Sequence, residues 1–207
     1  MTAKTALVRG HLLISAPILI VFAGALLAFG FSRAAALVAF IGCYIYWSSA
    51  APRWRLWALR NVTDTSPTRL LELGAKSGLL WRDGSWFERT ELRPRNYATQ
   101  RSRAVLLGAL RTLRPHLNAA LNDDSGANAL EGVVRHLDPA AAALAAGEPA
   151  PEERAAVSAF AAQLTGAQRA GVLSLSSGLE NHGAVVVAAL ETYQRHHSAQ
   201  SPLQVAV

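Results

Sequence analysis

The sequence predicts a mainly α-helical protein, in which a two-helix transmembrane hairpin precedes a cytoplasmic α-helical domain with one short β-hairpin. Residues 12–31 and 34–51 are long runs without a charged side chain. A section rich in arginine and aromatic residues follows them, and leucines at spacings of three and four then recur as on one face of a helix. These three observations determine the predicted fold class.

The two uncharged runs predict membrane helices because about 20 apolar residues span a bilayer core. The first run has 20 residues, twelve of them Leu, Ile, Val or Phe, which favour insertion by about 4 to 7 kcal/mol. The second has 18 residues with only five of these types, worth about 1.5 to 3 kcal/mol. We expect it to insert beside the first. The alternative is a cleavable signal peptide, but its apolar core would be shorter, and no second run would follow at once.

The distribution of cations predicts the orientation. Two cations precede the first run and three closely follow the second, whereas only Arg33 lies between the runs. Lys and Arg accumulate on the cytoplasmic side of membrane proteins. The expected location is therefore a bacterial inner membrane, with both termini in the cytoplasm.

Small residues form rows on both predicted membrane helices. Gly24 and Ala28 are one turn apart on the first, and Ala35, Ala39 and Cys43 follow one another on the second. Such rows let helix backbones approach closely in lipid, so we expect them at a helix–helix contact. An abundance of alanine in the chain is the simpler explanation. Cys43 is the single cysteine, so no disulfide and no Cys/His metal cluster is predicted, and no cofactor is expected.

The charges divide the chain into sections. Residues 53–114 carry 13 cations and 5 anions, whereas residues 115–207 carry 4 cations and 9 anions. The predicted organisation is a cytoplasmic segment (1–11), the hairpin (12–51), a basic, aromatic-rich juxtamembrane section (52–101), an Ala/Leu-rich helical bundle (102–199) and a flexible tail (200–207). The basic section thus lies beside the predicted membrane.

The juxtamembrane section is expected to contact anionic lipid headgroups, each Lys or Arg near such a surface contributing about 1 kcal/mol. The predicted headgroup contacts are Arg53, Arg55, Arg60, Arg93, Arg95, Arg101 and Arg103. The predicted membrane-interface aromatics are Tyr44, Tyr46, Trp47, Trp54 and Trp57. A solvated or salt-bridged face is the alternative. Nucleic acid is disfavoured because no binding motif occurs and the membrane already explains the charge.

A β-hairpin is predicted near residues 79–90. Asp83-Gly84 lies between two apolar-rich stretches, a strong signal for a two-residue turn. This register would pair Trp81 with Trp86 on one face and Leu80 with Phe87 on the other. With both faces apolar, one is expected to cover the domain and the other to need a partner: the membrane surface, the first helices or a second protomer. Burial of both faces within one monomer is the alternative.

The remaining residues predict short helices. Ser66-Pro67 is typical of an N-cap followed by a helix that ends near Gly78. Leu106, Leu110, Leu113, Leu117 and Leu121 form an apolar stripe in the distal part. Pro115 is expected to kink or split its helix, and a second helix is expected to end near Asp138-Pro139.

No nucleotide-binding, metalloprotease or serine-hydrolase motif is present. The predicted function is a non-catalytic, membrane-anchored scaffold or assembly protein that presents its helical domain to a protein partner or forms a homo-oligomer. The alternative is an enzyme that acts on a lipid or lipid-linked substrate, with Glu88 and Glu91 as acid/base groups. A further alternative is an immunity or regulatory protein that binds another membrane protein through the hairpin.

Overall fold

The computed structural model describes residues 1–29, 32–122, 127–146, 151–175 and 177–198. It is mainly helical, as the sequence predicts, and two of its helical stretches are strongly apolar. The chain divides into two compact units, Met1–Tyr97 and Ala98–Val207. The predicted hairpin and most of the juxtamembrane section therefore belong to the same unit.

The helices alternate with short turns. They are α1 (Ala3–Gly10), α2 (Ala16–Phe29), α3 (Arg33–Asn61), α4 (Pro67–Lys76), α5 (Tyr97–Asn122), α6 (Ala127–Ala145), α7 (Pro151–Arg169) and α8 (Ser177–Ser198), with a π-helical turn at His11–Ser15 and 3-10 turns at Phe87–Thr90 and Val172–Leu175. The π-helical turn joins α1 to α2, so helical backbone runs without a break from residue 3 to residue 29.

The first unit is built on two long antiparallel helical stretches. The indole Nε1 of Trp54 donates to the carbonyl of Ala6 at 3.2 Å, and the Cys43 thiol lies 3.6 Å from the carbonyl of Ile18. The contact residue on the first stretch thus has a lower number when the one on the second has a higher number, so the two stretches run in opposite directions. Both stretches, Ala3–Ala28 and Arg33–Asn61, are long and apolar enough to cross a membrane by length and composition.

Helix α3 continues beyond the predicted membrane run. Ser32 caps its N-terminus, accepting the backbone N–H of Ala35 at 3.2 Å, and the helix extends through Pro52 to Asn61. Its last turns bury Leu56 and most of their other apolar side chains inside the unit. The end of the uncharged run at residue 51 is thus not a break in the backbone.

The predicted β-hairpin is wrong, since no strand occurs among the described residues. The turn itself forms: the Ser85 N–H donates to the Arg82 carbonyl at 3.0 Å, and Gly84 takes the positive φ of 80° that glycine favours. After the turn, the chain enters the 3-10 turn Phe87–Thr90 instead of pairing back.

Two side chains explain why the strand does not form. The Ser85 hydroxyl accepts the N–H of Glu88 at 3.3 Å, and the Glu88 carboxylate accepts the N–H of Gly84 at 2.6 Å. This reciprocal pattern resembles a helix capping box, which favours helical turns over extended backbone.

The second unit is a helical bundle with its own apolar core. The core contains the predicted leucine stripe, of which Leu106, Leu110, Leu113 and Leu117 are fully buried, together with residues of α6, α7 and α8 such as Phe160. Helices α6 and α7 pack against each other along much of their length.

The prolines in this unit do not split their helices, whereas the sequence predicted a kink or a split at Pro115 and a helix end near Pro139. Helix α5 continues through Pro115, and α6 continues through Pro139 to Ala145. A proline removes one helical hydrogen bond, but buried Leu113 and Leu117 hold the chain on both sides of Pro115. The predicted tail at 200–207 lies outside the described residues.

Candidate functional site

The first unit contains a fully buried arginine. Arg55 lies one turn after Pro52 on α3, with a side-chain exposure of 0%. Its guanidinium donates two hydrogen bonds to Glu91, from Nη1 to Oε2 at 2.8 Å and from Nη2 to Oε1 at 3.2 Å. Nη1 also donates to the Tyr97 hydroxyl at 2.9 Å. Two-point pairing of a guanidinium with a carboxylate is a strong, directional contact, so residues 91 and 97 are held against α3.

A second carboxylate bridges Arg55 to another arginine. Glu88 Oε1 lies 3.7 Å from Arg55 Nη1 and 3.1 Å from Arg93 Nη2. Arg93 also donates to the Glu88 carbonyl at 3.0 Å and lies 5.3 Å above the ring centroid of Tyr97. Asp83 Oδ1 is 4.0 Å from Arg55 Nη2. We call these residues the Arg55 cluster: Arg55, Asp83, Glu88, Glu91, Arg93 and Tyr97.

The charges of the Arg55 cluster nearly compensate one another. Burial raises the pKa of the Glu91 carboxyl, and the adjacent Arg55 charge opposes that rise. Removing one partner of such a buried pair costs about 3–5 kcal/mol, because the other charge remains desolvated. The oxygens of Glu88 and Glu91 accept hydrogen bonds from within the unit, which suits carboxylates that fix a loop.

The chain that carries these carboxylates lies along α3. The Leu92 N–H donates to the Ser48 carbonyl at 2.9 Å, and the Thr90 and Tyr44 hydroxyls share a short hydrogen bond. Together with the Arg55 contacts, these bonds attach residues 82–95 to α3 over three helical turns. We call residues 82–95 the docked loop.

An aromatic stack covers one side of the docked loop. Trp81 stacks on Phe87 with ring centroids 4.6 Å apart, and Trp47 meets the edge of Trp81 at 5.1 Å. Trp86 packs edge-on against Phe87 at 5.5 Å. The predicted pairing of Trp81 with Trp86 is absent, because the 3-10 turn brings Phe87 over Trp81, and Leu80 is buried. Trp86 and Phe87 remain 69% and 46% exposed.

The predicted headgroup arginines divide into two groups. Arg53, Arg60, Arg93 and Arg95 are exposed, and Arg101 is half-buried. Arg55 and Arg103 are buried against Glu91 and Glu153, so the structure gives these two carboxylate partners inside the protein instead of headgroups. An internal guanidinium needs such a partner to offset the loss of hydration.

The predicted interface aromatics are used mainly for packing inside the unit. Trp54 is buried against α1, and the ring of Trp57 lies 4.6 Å from the guanidinium carbon of Arg9. The Tyr46 hydroxyl donates to the Leu13 carbonyl at 2.6 Å. The other two, Tyr44 and Trp47, contact the docked loop and the aromatic stack.

Only one of the two predicted small-residue rows lies between α2 and α3. Ala39 and Cys43 are buried and Ala35 is half-buried, with Cys43 in contact with the backbone of α2. Gly24 and Ala28 are exposed, because the contacting side of α2 is set by other positions. The predicted use of Gly24 and Ala28 in helix–helix packing stays a prediction.

The second unit has a smaller buried polar cluster. Glu153 accepts a hydrogen bond from the Tyr193 hydroxyl at 2.8 Å and forms an ion pair with Arg103. Burial and the Glu153 hydrogen bond raise the pKa of Tyr193. The His197 ring stacks on Tyr193 with centroids 4.0 Å apart, and its Nδ1 lies 2.9 Å from the Tyr193 carbonyl. These groups connect α5, α7 and α8 within the core.

Within the part of the chain that the structure describes, no three His, Cys, Asp or Glu side chains are placed to hold a metal ion. A cavity of about 250 Å³ lies beside α8, with Leu173, Gly183 and Val187 in its wall. Its lining is largely apolar, and it lies in the second unit, whereas the Arg55 cluster belongs to the first.

Sequence reasoning missed the role of Arg55, Glu88 and Glu91 as one cluster. The Ser85–Glu88 spacing, a serine followed three residues later by glutamate, was a usable signal for the capped turn. No comparable signal links Arg55 to Glu91, which is 36 residues away. No family model matches the chain, and no curated protein or solved structure is significantly similar to it.

Proposed function

We propose that the protein is a membrane-anchored, non-catalytic scaffold that presents its helical unit to a protein partner on the cytoplasmic side. The observation that carries the proposal is a band of exposed apolar side chains on α2 and α3. Ile20 and Val38 are each 71% exposed, and Leu27 is 84% exposed. Exposing a large apolar side chain to water costs about 1.5–3 kcal/mol relative to burial, so a continuous band of them favours lipid as its environment.

The lengths of the helices support a span with its charged end outside the lipid. A helix of the length of α3, 29 residues, measures about 44 Å, whereas the hydrocarbon core is about 30 Å thick. The part of α3 that exceeds the thickness of the hydrocarbon core can therefore be the end that carries Arg53 and Arg60. By the positive-inside rule, this end faces the cytoplasm, as do both chain termini.

The Arg55 cluster supports a structural role over an enzymatic one. Its carboxylates accept hydrogen bonds from Arg55, Arg93 and the backbone of the docked loop. These hydrogen bonds and ion pairs attach the docked loop to α3. This arrangement suits a protein that must keep a rigid shape beside a membrane.

The charge of the distal part suggests the class of partner. Residues 115–207 have an excess of five acidic side chains, opposite in sign to the basic section near the membrane. Complementary charge steers association and selects partners. We propose a partner with a basic surface, and contact of anionic lipids with the exposed arginines of the first unit.

Site-specific photo-crosslinking in native membranes tests this function. A photoreactive residue at Arg135, on the exposed face of α6, is compared with one at Arg33, in the predicted turn on the opposite side. We expect a discrete protein adduct from position 135 that Glu131→Lys weakens and that is absent at position 33. Equal adducts at both positions, or turnover of a lipid-linked substrate by the purified chain, would contradict the proposal.

A further inference from the structure

We propose that the docked loop is itself a membrane element, which inserts Trp86, Phe87 and Leu92 into the headgroup–acyl boundary beside α3. This inference rests on the proposed membrane span. It adds an interaction surface with a defined partner, an anionic lipid interface.

The depth of the docked loop follows from its bond to α3. Leu92 donates to the carbonyl of Ser48, and the uncharged run of α3 ends at Ala51. Three helical residues rise about 4.5 Å, so the loop backbone lies about that far inside the end of the apolar run. Arg53, the first cation, lies beyond it. A segment at this depth meets lipid, unless protein covers it.

The side chains at this depth suit that environment. Trp86 is 69% exposed, Leu92 56% and Phe87 46%. Three large apolar residues are thus exposed on one short loop, which is hydrogen-bonded to α3 through Leu92 and Ser48. Indole rings favour the headgroup level because they combine an apolar body with one N–H donor.

The charges of the docked loop are sorted in the direction that an anionic surface requires. Glu88 and Glu91 are buried against Arg55, whereas Arg82, Arg89, Arg93 and Arg95 are exposed. Two of the three carboxylates of the loop thus point inward, while Asp83 is 46% exposed, and the four exposed arginines include Arg93, which also pairs with Glu88. Exposed arginines beside inserted aromatics bind the phosphates of anionic lipids, as in other interfacial segments.

Backbone groups at lipid depth need internal partners, because the bilayer core offers none. In the docked loop the N–H groups of Gly84, Glu88 and Leu92 are bonded to Glu88, Ser85 and Ser48. The 3-10 turn pairs further groups internally, including the N–H of Arg89 with the carbonyl of Trp86. Such internal pairing lowers the cost of placing an irregular loop at the boundary.

Spin-label accessibility in the full-length chain tests the inference. Cys43 is replaced by Ser, and single cysteines are introduced as Trp86→Cys, Ile20→Cys and Thr68→Cys. Each is labelled with a nitroxide in vesicles of phosphatidylcholine and phosphatidylglycerol. Ile20 is the lipid reference, and Thr68, at the exposed start of α4, is the water reference. Collision with oxygen reports lipid exposure, and collision with a water-soluble nickel chelate reports water exposure.

We expect the label at position 86 to collide with oxygen several-fold more often than with the nickel chelate, between the values of the two references. Nickel-dominated collision at position 86, with position 20 still oxygen-dominated, would overturn the inference and leave the membrane span intact. Low collision with both agents would overturn it too, since a protein then covers the loop. Nickel-dominated collision at position 20 would overturn the span itself.

Brominated lipids give a second measurement on a chain that retains its natural residues at all positions but one. Bromines quench tryptophan at the depth where they lie. We expect Trp86→Phe to remove the part of the tryptophan fluorescence that is quenched most by bromines near the headgroups. Equal quenching of the two proteins at every depth would contradict insertion of Trp86.

Discussion

The N–H of Leu92 donates a hydrogen bond to the Ser48 carbonyl, which lacks a helical donor because residue 52 is a proline. In α3 the Ser48 carbonyl would normally accept the N–H four residues later, but proline has none. Leu92 supplies the missing bond at 2.9 Å from a loop 40 residues farther along the chain. The carbonyl whose helical hydrogen bond is missing is thus the point at which the docked loop attaches to α3.

Replacing Pro52 with alanine should loosen the docked loop, because residue 52 would then compete with Leu92 for the Ser48 carbonyl. We expect the amide of Leu92 to exchange hydrogen several-fold faster, as measured by hydrogen–deuterium exchange with mass spectrometry in nanodiscs. Pro115→Ala, in the second unit, is the matched control and should leave this exchange unchanged. Unchanged exchange at Leu92 in the Pro52 variant would contradict the proposed competition.

Glu91→Gln should destabilise the first unit by about 3–5 kcal/mol, because Arg55 would keep its charge in a buried site without the carboxylate that pairs with it at two points, Glu88 and Asp83 lying farther away. The expected loss of Tm, followed by tryptophan fluorescence in micelles, is on the order of 10 °C. Glu72→Gln, on an exposed pair, should change little. The double variant Arg55→Met, Glu91→Leu should recover part of the loss. If it is less stable than Glu91→Gln, the buried charge is not the cause.

Tyr193→Phe should destabilise the second unit by about 1.5–3 kcal/mol, because the ring is kept while the hydrogen bond to the charged Glu153 is lost. Denaturant unfolding monitored by circular dichroism measures the change. Thr192→Ala removes a neighbouring hydroxyl that bonds only within its own helix. A change as large in this control as in Tyr193→Phe would exclude a special role for the buried cluster.

Acid should weaken the packing of α5 against α8. The rings of His116 and His182 stack with centroids 4.1 Å apart, and burial together with the His182 charge lowers the pKa of His116. A histidine with a lowered folded pKa favours the folded state while neutral. Stability should therefore begin to fall as the pH drops below the ordinary value of 6.5. The contribution of this histidine should be lost completely below its lowered pKa.

The pH dependence of the unfolding midpoint checks this prediction between neutral and mildly acidic buffer. His116→Gln should flatten it, whereas His136→Gln, on α6, should not. A slope that survives His116→Gln would assign the effect to other groups.

Gly10→Ala should destabilise the hairpin by about 1–3 kcal/mol through overpacking. A Cβ at this position would lie 2.3 Å from Leu79 Cδ2 and 2.6 Å from Trp54 Nε1. Gly24→Ala is the matched control, since nothing lies within 4 Å of the corresponding Cβ. Thermal unfolding in micelles compares them. If Gly24→Ala lowers the oligomeric state without changing monomer stability, Gly24 packs against a second copy.

Local signals in the sequence predicted most of the helices. The Ser66-Pro67 start of α4 is confirmed, with the Ser66 hydroxyl accepting the N–H of Arg69, and the buried leucine stripe of α5 is confirmed as well. These features depend on residues a few positions apart. The prolines of α5 and α6 were misjudged because packing on both sides outweighs the loss of one hydrogen bond.

The candidate site was harder to predict because its contacts are long-range. Asp83-Gly84 correctly indicated a turn, but Ser85 and Glu88 capped the following residues into a helical turn. Arg55 lies in a strongly basic section, where charge alone indicates lipid contact. Only the three-dimensional structure brings a carboxylate 36 residues away within 2.8 Å of its guanidinium.

The burial of the Arg55–Glu91 pair makes the attachment of the docked loop less sensitive to ionic strength than an exposed ion pair would be. At physiological salt, mobile ions largely screen the interaction of exposed charges that are more than about 8 Å apart, whereas a buried pair is screened much less. Added salt should therefore weaken the proposed contacts of the exposed arginines with lipid phosphates while the loop keeps its conformation.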